Sequence, residues 1–428
     1  MNTTSRLLTV VALAAAAVDP GIALAAPPPG ACGTTAPARP AVTERPWPQQ
    51  TLSADTVRKQ GTGAGVVVAV IDSGVDPDHP QLSGPGKVLP GKDFFLVGEL
   101  PATFDCDSHG TAVASIIAAT PTDGIGFAGL APDATILPVR VSESEANGEG
   151  ATEAIDPEVL ARGIWYAVDQ GAKVINLSVA GGLDNRFVRD AIRHAHEKDV
   201  VVVAAAGNAQ QGTAAGPPAF PAGYDGVLGV GAVDMSGTRL PSSQIGSQVD
   251  LVAPGGEVLA ATRAGGHQYW NGTSFAAPFV SATAALVRSA KPELSADQVA
   301  ERILATATPA PGGAASAAYG AGLVNPYRAL TGNLVGAVPA PTPAVRRAVP
   351  DPAQVRLAAW WAESTSTAWI VAILTAAAVV LGATAALVLA RGRRAGWRPR
   401  RVVPPPIEPM RDELPGEMFL VPPPPADT

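Results

Sequence analysis

The chain is poor in cysteine, histidine and charge, and each shortage excludes something. Its two cysteines, Cys32 and Cys106, are too few for a metal site, which needs more ligands close by. No Asp-rich loop has calcium-ligand spacing, so neither a metal nor another cofactor is expected. Charged residues make up only 16% of the 428 residues, and the formal net charge is −7. No basic stripe with interleaved aromatics occurs ahead of the C-terminal segments, so nucleic acid is not an expected partner. With 47% apolar residues the composition suits a packed α/β core with a membrane segment, not a disordered chain or a coiled coil. No internal repeat is present. This length accommodates one large catalytic domain with accessory segments, or two ordinary domains.

What is present begins with two apolar segments at the ends. Behind Arg6 the chain is apolar from Leu7 to Val18 and reaches Ala23-Leu24-Ala25, a small-x-small cleavage site. Residues 1–25 therefore read as a secretory signal peptide. Asp19-Pro20 interrupts the run, which leaves an uncleaved anchor as the alternative. Near the other end, residues 368–390 carry no charged side chain and are long enough to span a hydrocarbon core of about 30 Å. Arg391, Arg393, Arg394, Arg398, Arg400 and Arg401 follow, whereas the upstream flank holds Glu363. Positive charge collects on the cytoplasmic side, so the main domain is expected outside and the C-terminus inside. A core helix of that length would carry a polar face. In an exported chain the two cysteines read as a disulfide, with two separate buried thiols as the alternative. Closing that loop is worth about 4 kcal/mol on the chain-entropy picture.

Between the ends, residues 26–60 form an N-terminal arm, Pro- and Ala-rich and extended up to residue 50. Residues 61–330 alternate short apolar runs with helical patterns. Val66–Ile71, Thr135–Val141, Val174–Leu177 and Val200–Ala204 read as strands of a parallel sheet buried on both faces. Helices are expected at His109–Ala119, Pro157–Gln170, Asn185–Lys198 and Ser274–Ala290, and Ser295-Ala296-Asp297-Gln298 caps another. The fold class is α/β, a doubly wound and mostly parallel sheet. Ser142–Asp156 is an acidic, exposed loop. Residues 331–367 are a Pro/Ala-rich spacer, and 391–428 a basic, then Pro-rich cytoplasmic tail.

Four short stretches carry chemistry. Asp72 ends the run Val68-Ala69-Val70-Ile71, where open α/β sheets place functional groups, and Gly74 turns the chain away. His109, in Asp107-Ser108-His109-Gly110-Thr111, stands at the mouth of a helix, exposed enough to exchange protons. Of the other histidines, His79 lies in a loop, His194 and His196 on a solvated helical face, and His267 in a Gly-flanked loop without an evident partner. Ser274 opens a long apolar helix after Gly272-Thr273; it is either an activated nucleophile or an N-cap. Asn208 ends the run Val203-Ala204-Ala205-Ala206-Gly207 and either donates to an oxyanion or merely forms a turn.

Together, in the order Asp, His, Asn, Ser, the motifs around Asp72, His109, Asn208 and Ser274 resemble the subtilase superfamily. The resemblance implies that Ser274 attacks a scissile carbonyl, His109 takes its proton and Asp72 orients the imidazole. Asn208 and the N–H of Ser274 would form the oxyanion hole. The run Asn176 to Gly181, with Ser178, Val179, Ala180 and Gly181, resembles the edge strand that receives substrate. Val179 to Gly181 and Ala205, Ala206 and Gly207 would line the first specificity pocket.

Signal peptide, arm, peptidase domain, spacer, single span and basic tail together look like the mycosins, membrane-anchored subtilases of type VII secretion systems. Phe275 and Phe279 fit that subgroup, and so do Cys32 in the arm and Cys106 just before His109, positions that the family joins by a disulfide. Ala112 departs from a frequent His, and the acidic loop matches nothing closely. The implied function is cleavage of exported proteins at the membrane, with subunits of the secretion complex as partners. The alternative is a structural subunit of that complex in which proteolysis is dispensable.

Overall fold

The apolar runs form the centre of a seven-stranded sheet. The computed structural model describes residues 28, 31–32, 35–96, 100–143, 155–309, 316–333, 375, 378, 381–394 and 396. The strands are β1 (Val67–Asp72), β2 (Lys92–Asp93), β3 (Thr135–Arg140), β4 (Val174–Leu177), β5 (Val201–Ala205), β6 (Val227–Val233) and β7 (Leu251–Pro254). Their order is β2-β3-β1-β4-β5-β6-β7, and every neighbouring pair is parallel. A separate antiparallel pair, β8 (Val258–Ala261) and β9 (His267–Trp270), precedes the longest helix of the first unit.

The helices are α1 (Trp47–Thr51), α2 (Ala54–Arg58), α3 (His109–Ala118), α4 (Pro157–Asp169), α5 (Arg186–Glu197), α6 (Thr273–Ala290), α7 (Ala296–Thr306) and α8 (Pro326–Thr331). They cover both sheet faces because the strands are apolar on both. Val68 and Val70 of β1 pack with α3 and α6, while Ala69 and Ile71 pack with α4 and α5. Helix α5 buries Val188, Ala191, Ile192 and Ala195, one stripe of a helical period. Helix α6 is buried from Thr273 to Arg288, so it has no polar face to show. The expected capping box is formed: Ser295 Oγ accepts from Gln298 N–H, and Gln298 Oε1 accepts from Ser295 N–H.

Several expectations shift. The arm is not extended throughout; it becomes helical at Trp47, and Ala54 and Val57 lie in the main core. Strand β6 is interrupted by glycine in the sequence and gives no continuous apolar run. A Cβ at Gly229 would meet the carbonyl oxygen of Gln248 at 1.8 Å, so the side chain is missing where two backbones cross. The chain divides into two units, 1–345 and 346–428. In the second, residues 381–394 are helical, with Leu381, Leu387, Val388 and Leu389 exposed. Among the described residues no helix is long and apolar enough to cross a membrane. The expected signal peptide, about half of the span, most of the spacer and tail, and residues 144–154 of the acidic loop lie outside the described residues.

Among the described residues Arg140 is the largest fully buried side chain. Its guanidinium sits between the rings of Phe95 and Phe104, 5.0 and 4.8 Å from their centroids. It donates to Asp93 Oδ2 at 2.9 Å and to the carbonyl of Ser73 at 3.2 Å. It also reaches Cys106 Sγ, which is joined in a disulfide to Cys32. Arg140→Met would leave Asp93 buried without its counter-charge. The expected loss is about 3–5 kcal/mol of unfolding free energy, measured by chemical denaturation of the purified domain.

Candidate active site

Strand β1 lies where the chain order reverses: the chain goes from β1 to β3 on one side, then returns to β4 on the other. Such a reversal opens a crevice at the carboxyl ends of the strands. Asp72 is the last residue of β1, and strand alternation sends its side chain to the α3 and α6 face with Val68 and Val70. Its Oδ1 accepts from His109 Nδ1–H at 2.8 Å and from Ser73 N–H at 2.7 Å. Both side chains are fully buried. Because a carboxylate only accepts, this bond places the imidazole proton on Nδ1 and the neutral ring's lone pair on Nε2.

His109 is the first residue of α3, and the helix approaches the turn after β1 through Gly110. A Cβ there would lie 2.1 Å from the carbonyl oxygen of Gly74 and 3.1 Å from Asp72 Oδ1. Only glycine permits the approach that brings Asp72 and His109 into contact. The expectation of an exposed imidazole is corrected. Phe275 lies 5.0 Å away centroid to centroid and Trp270 6.5 Å, the two stacked on each other, and they cover the ring.

Phe275 follows Ser274 directly, so its contact with His109 brings the start of α6 to the imidazole. The N-cap reading of Ser274 does not hold: the cap is Gly272, and Ser274 is the second helical residue. Ser274 Oγ donates to the carbonyl of Ser178 at 3.1 Å. Asn208 is exposed just beyond β5. Its Oδ1 accepts from Thr273 N–H at 2.9 Å and from Thr273 Oγ1–H at 3.1 Å, so the Nδ2 end remains to donate. Strand ends and helix starts that are far apart in the chain thus place an acid–imidazole pair, a hydroxyl and a side-chain amide in one crevice. That set suits acyl transfer.

The sequence model of the subtilase family matches residues 63–322. The chain belongs to the subtilase family. It is a subtilisin-like serine protease, 37% identical over 275 residues to subtilisin DY of Bacillus licheniformis, covering 64% of this chain and 94% of that protein. Against thermitase of Thermoactinomyces vulgaris the identity is 38% over 250 residues, 58% of this chain and 84% of the relative. Among solved structures, MycP1 from Mycobacterium smegmatis aligns with a TM-score of 0.60 at 33% identity, over 72% of this chain and 90% of that one. The MycP3 protease from the type VII (ESX-3) secretion system aligns at 0.59 and 34%, over 74% and 99%.

In this subtilase the expected pocket residues fall on two neighbouring strand ends. Ser178 and Val179 are buried and Ala180 and Gly181 exposed after β4; Ala205, Ala206 and Gly207 are buried at the end of β5. Gly181 exchanges two backbone hydrogen bonds with Phe220, both 2.8 Å. Ala219, just before Phe220, is buried 3.4 Å from where a Cβ at Gly207 would lie. It packs behind Gly207, and no local pattern marks it.

Thr273 and Asp105 also support the site, and no sequence signal of their own marks them. Thr273 stands one place before Ser274 and holds Asn208; its hydroxyl also accepts from Gly207 N–H at 3.2 Å. Asp105 lies four places before His109 and is fully buried. It accepts from Ser73 Oγ–H, from the N–H groups of Asp107, Ser108 and Thr111, and from Thr111 Oγ1–H. Loss of solvation pushes its carboxyl up to about 6, against the pull of those donors.

His267 is not the unpartnered loop residue the sequence suggests. It opens β9, its Nε2–H donates to Gln81 Oε1 at 2.7 Å, and its Nδ1 accepts from Val42 N–H in the arm at 3.2 Å. His194 also departs from expectation: it is half-buried and stacks on Trp165 at 3.7 Å. Burial, then the neighbouring His79, lowers His267 from 6.5 to about 4. The unfolded imidazole therefore takes up a proton that the folded one refuses. The His267 contribution is complete above about pH 6.5 and declines as pH falls towards about 4. In His267→Asn an amide oxygen can replace Nδ1 as acceptor but does not titrate. Thermal melts between pH 7 and 4 are expected to show a smaller acid loss in the variant; parallel curves would contradict this.

Proposed function

We propose that this subtilase is a membrane-anchored, extracytoplasmic endopeptidase that cleaves exported proteins at a type VII secretion complex. The observation that carries the catalytic part is the buried 2.8 Å Asp72–His109 bond beside the start of α6. Ser274 Oγ attacks the scissile carbonyl as His109 Nε2 takes its proton. Asp72 stabilises the imidazolium, which then protonates the leaving amine. Asn208 Nδ2 and the N–H of Ser274 receive the oxyanion. Substrate lies along Ser178 to Gly181 as an added strand, with its first side chain between Val179–Gly181 and Ala205–Gly207.

The secretion role is supported by the likeness to MycP1 and MycP3, proteases from type VII secretion systems. The disulfide that ties the arm to Cys106, the apolar 368–390 and the arginines after it support the anchored topology. A scaffolding role beside proteolysis is favoured by one observation: a related MycP1 is described as an essential component of its secretion system.

The test is labelling by a biotinylated fluorophosphonate. The purified domain is expected to carry one adduct, on Ser274 by peptide mass spectrometry, and cells are expected to hold the labelled protein in the membrane fraction. A domain that stays unlabelled refutes the peptidase; labelled protein found mainly in the medium refutes the anchor. For Asn208→Leu, kcat is expected to fall about 10²–10³-fold with KM nearly unchanged, the loss known for the oxyanion-hole asparagine of subtilisin, a member of this same family.

A further inference from the structure

Helix α6 contains a proline, Pro278, one turn after Ser274. In an α-helix the N–H of residue 278 would donate to the carbonyl of residue 274, and proline has no N–H. The carbonyl of Ser274 is nonetheless bonded. Ser178 Oγ–H donates to it at 2.7 Å from the end of β4. Behind Ser178 stands a directed chain: Asn176 Nδ2–H donates to Ser178 Oγ at 2.9 Å, and Ser281 Oγ–H donates to Asn176 Oδ1 at 2.7 Å. Ser178, Asn176 and Ser281 are all fully buried.

The direction of the chain is forced. A carbonyl only accepts, so Ser178 spends its single proton on Ser274 and must receive from Asn176. That sets the amide with Nδ2 towards Ser178 and Oδ1 towards Ser281, whose hydroxyl then donates. Every polar atom in this part of the core has one role, and such fully satisfied buried networks hold a single geometry. The chain also returns to its start, since Ser274 Oγ donates to the carbonyl of Ser178 at 3.1 Å. The backbone and the side chain of Ser274 are therefore both referred to one residue of the neighbouring strand.

We propose that Ser178, Asn176 and Ser281 are positioning residues that supply the hydrogen bond Pro278 withholds and so set where Ser274 stands relative to His109. The inference rests on Ser274 as the nucleophile. It makes the first turn of α6 dependent on the end of β4, not on its own helix, for the placement of the attacking oxygen.

The experiment is a double-mutant cycle of Ser178→Ala and Pro278→Ala in the purified, disulfide-intact domain. It is read by the acylation rate with a fluorophosphonate, by kcat and KM on a peptide substrate, and by melting temperature. Ser178→Ala alone is expected to slow acylation and kcat about ten- to a hundredfold with KM unchanged, as for a displaced reacting group. Pro278→Ala restores a backbone N–H that can bond Ser274, so in that background Ser178→Ala is expected to cost less than about threefold. Equal losses in both backgrounds, or no loss in either, overturn the proposal. Where Ser178→Ala does not fold, Ser281→Ala carries the test: slower acylation at unchanged KM supports the chain, and an unchanged rate refutes it. Failure of the unsubstituted domain to acylate refutes instead the reading of Ser274 as nucleophile.

Discussion

Ser274→Ala is expected to abolish peptide hydrolysis, lowering kcat about a millionfold, the loss known for the equivalent change in subtilisin of this same family. The size follows from the chemistry. Without Oγ no acyl-enzyme forms, and only the oxyanion donors and substrate binding remain to help water attack. The fold should tolerate the change, because a small buried hydroxymethyl group, whose hydroxyl donates to the backbone carbonyl of Ser178, is replaced by a methyl group. The measurement is kcat on a peptide substrate, with melting temperature as control and the fluorophosphonate adduct expected to vanish. In cells the same variant separates the two proposed roles, proteolysis and scaffolding. Secretion that continues while substrate trimming stops would assign the scaffold function to the folded domain itself.

Asp72→Asn should cost about 10⁴-fold in kcat. Asp72 Oδ1 receives both Ser73 N–H and His109 Nδ1–H, and an amide oxygen can occupy that place. What cannot be replaced is the negative charge that stabilises the imidazolium as Ser274 gives up its proton. The new amide N–H₂ would also take the place of Oδ2, which has no hydrogen-bond partner among the described residues. The acid limb of the pH profile is expected to move to lower pH, because losing an adjacent anion makes the imidazole a weaker base. An unchanged profile with full kcat would remove Asp72 from the mechanism.

Local patterns made the core strands and helices legible. Continuous β-branched runs have no other stable place than a sheet covered on both faces, and β1, β3, β4 and β5 lie within a residue or so of where they are expected. Strand β6 is not legible because Gly229 and Gly231 thin its apolar pattern, and Gly229 is small to let Gln248 pass. Asp72, His109, Asn208 and Ser274 were legible because each stands in a short motif at the end of a strand or the start of a helix. Asp105 and Thr273 flank those motifs; their burial and their bonds, not their types, give them weight.

From the sequence alone come the family, the order of the chemical groups along the chain and the apolar segments at its two ends, because these depend on residue type and local spacing. The tertiary structure alone decides which groups meet. Arg140 with Asp93, His267 with Val42, and Ser178 with Ser274 join residues 47, 225 and 96 positions apart. A buried polar atom is satisfied by whatever partner the packing brings within about 3 Å, and no local pattern in the chain encodes that partner.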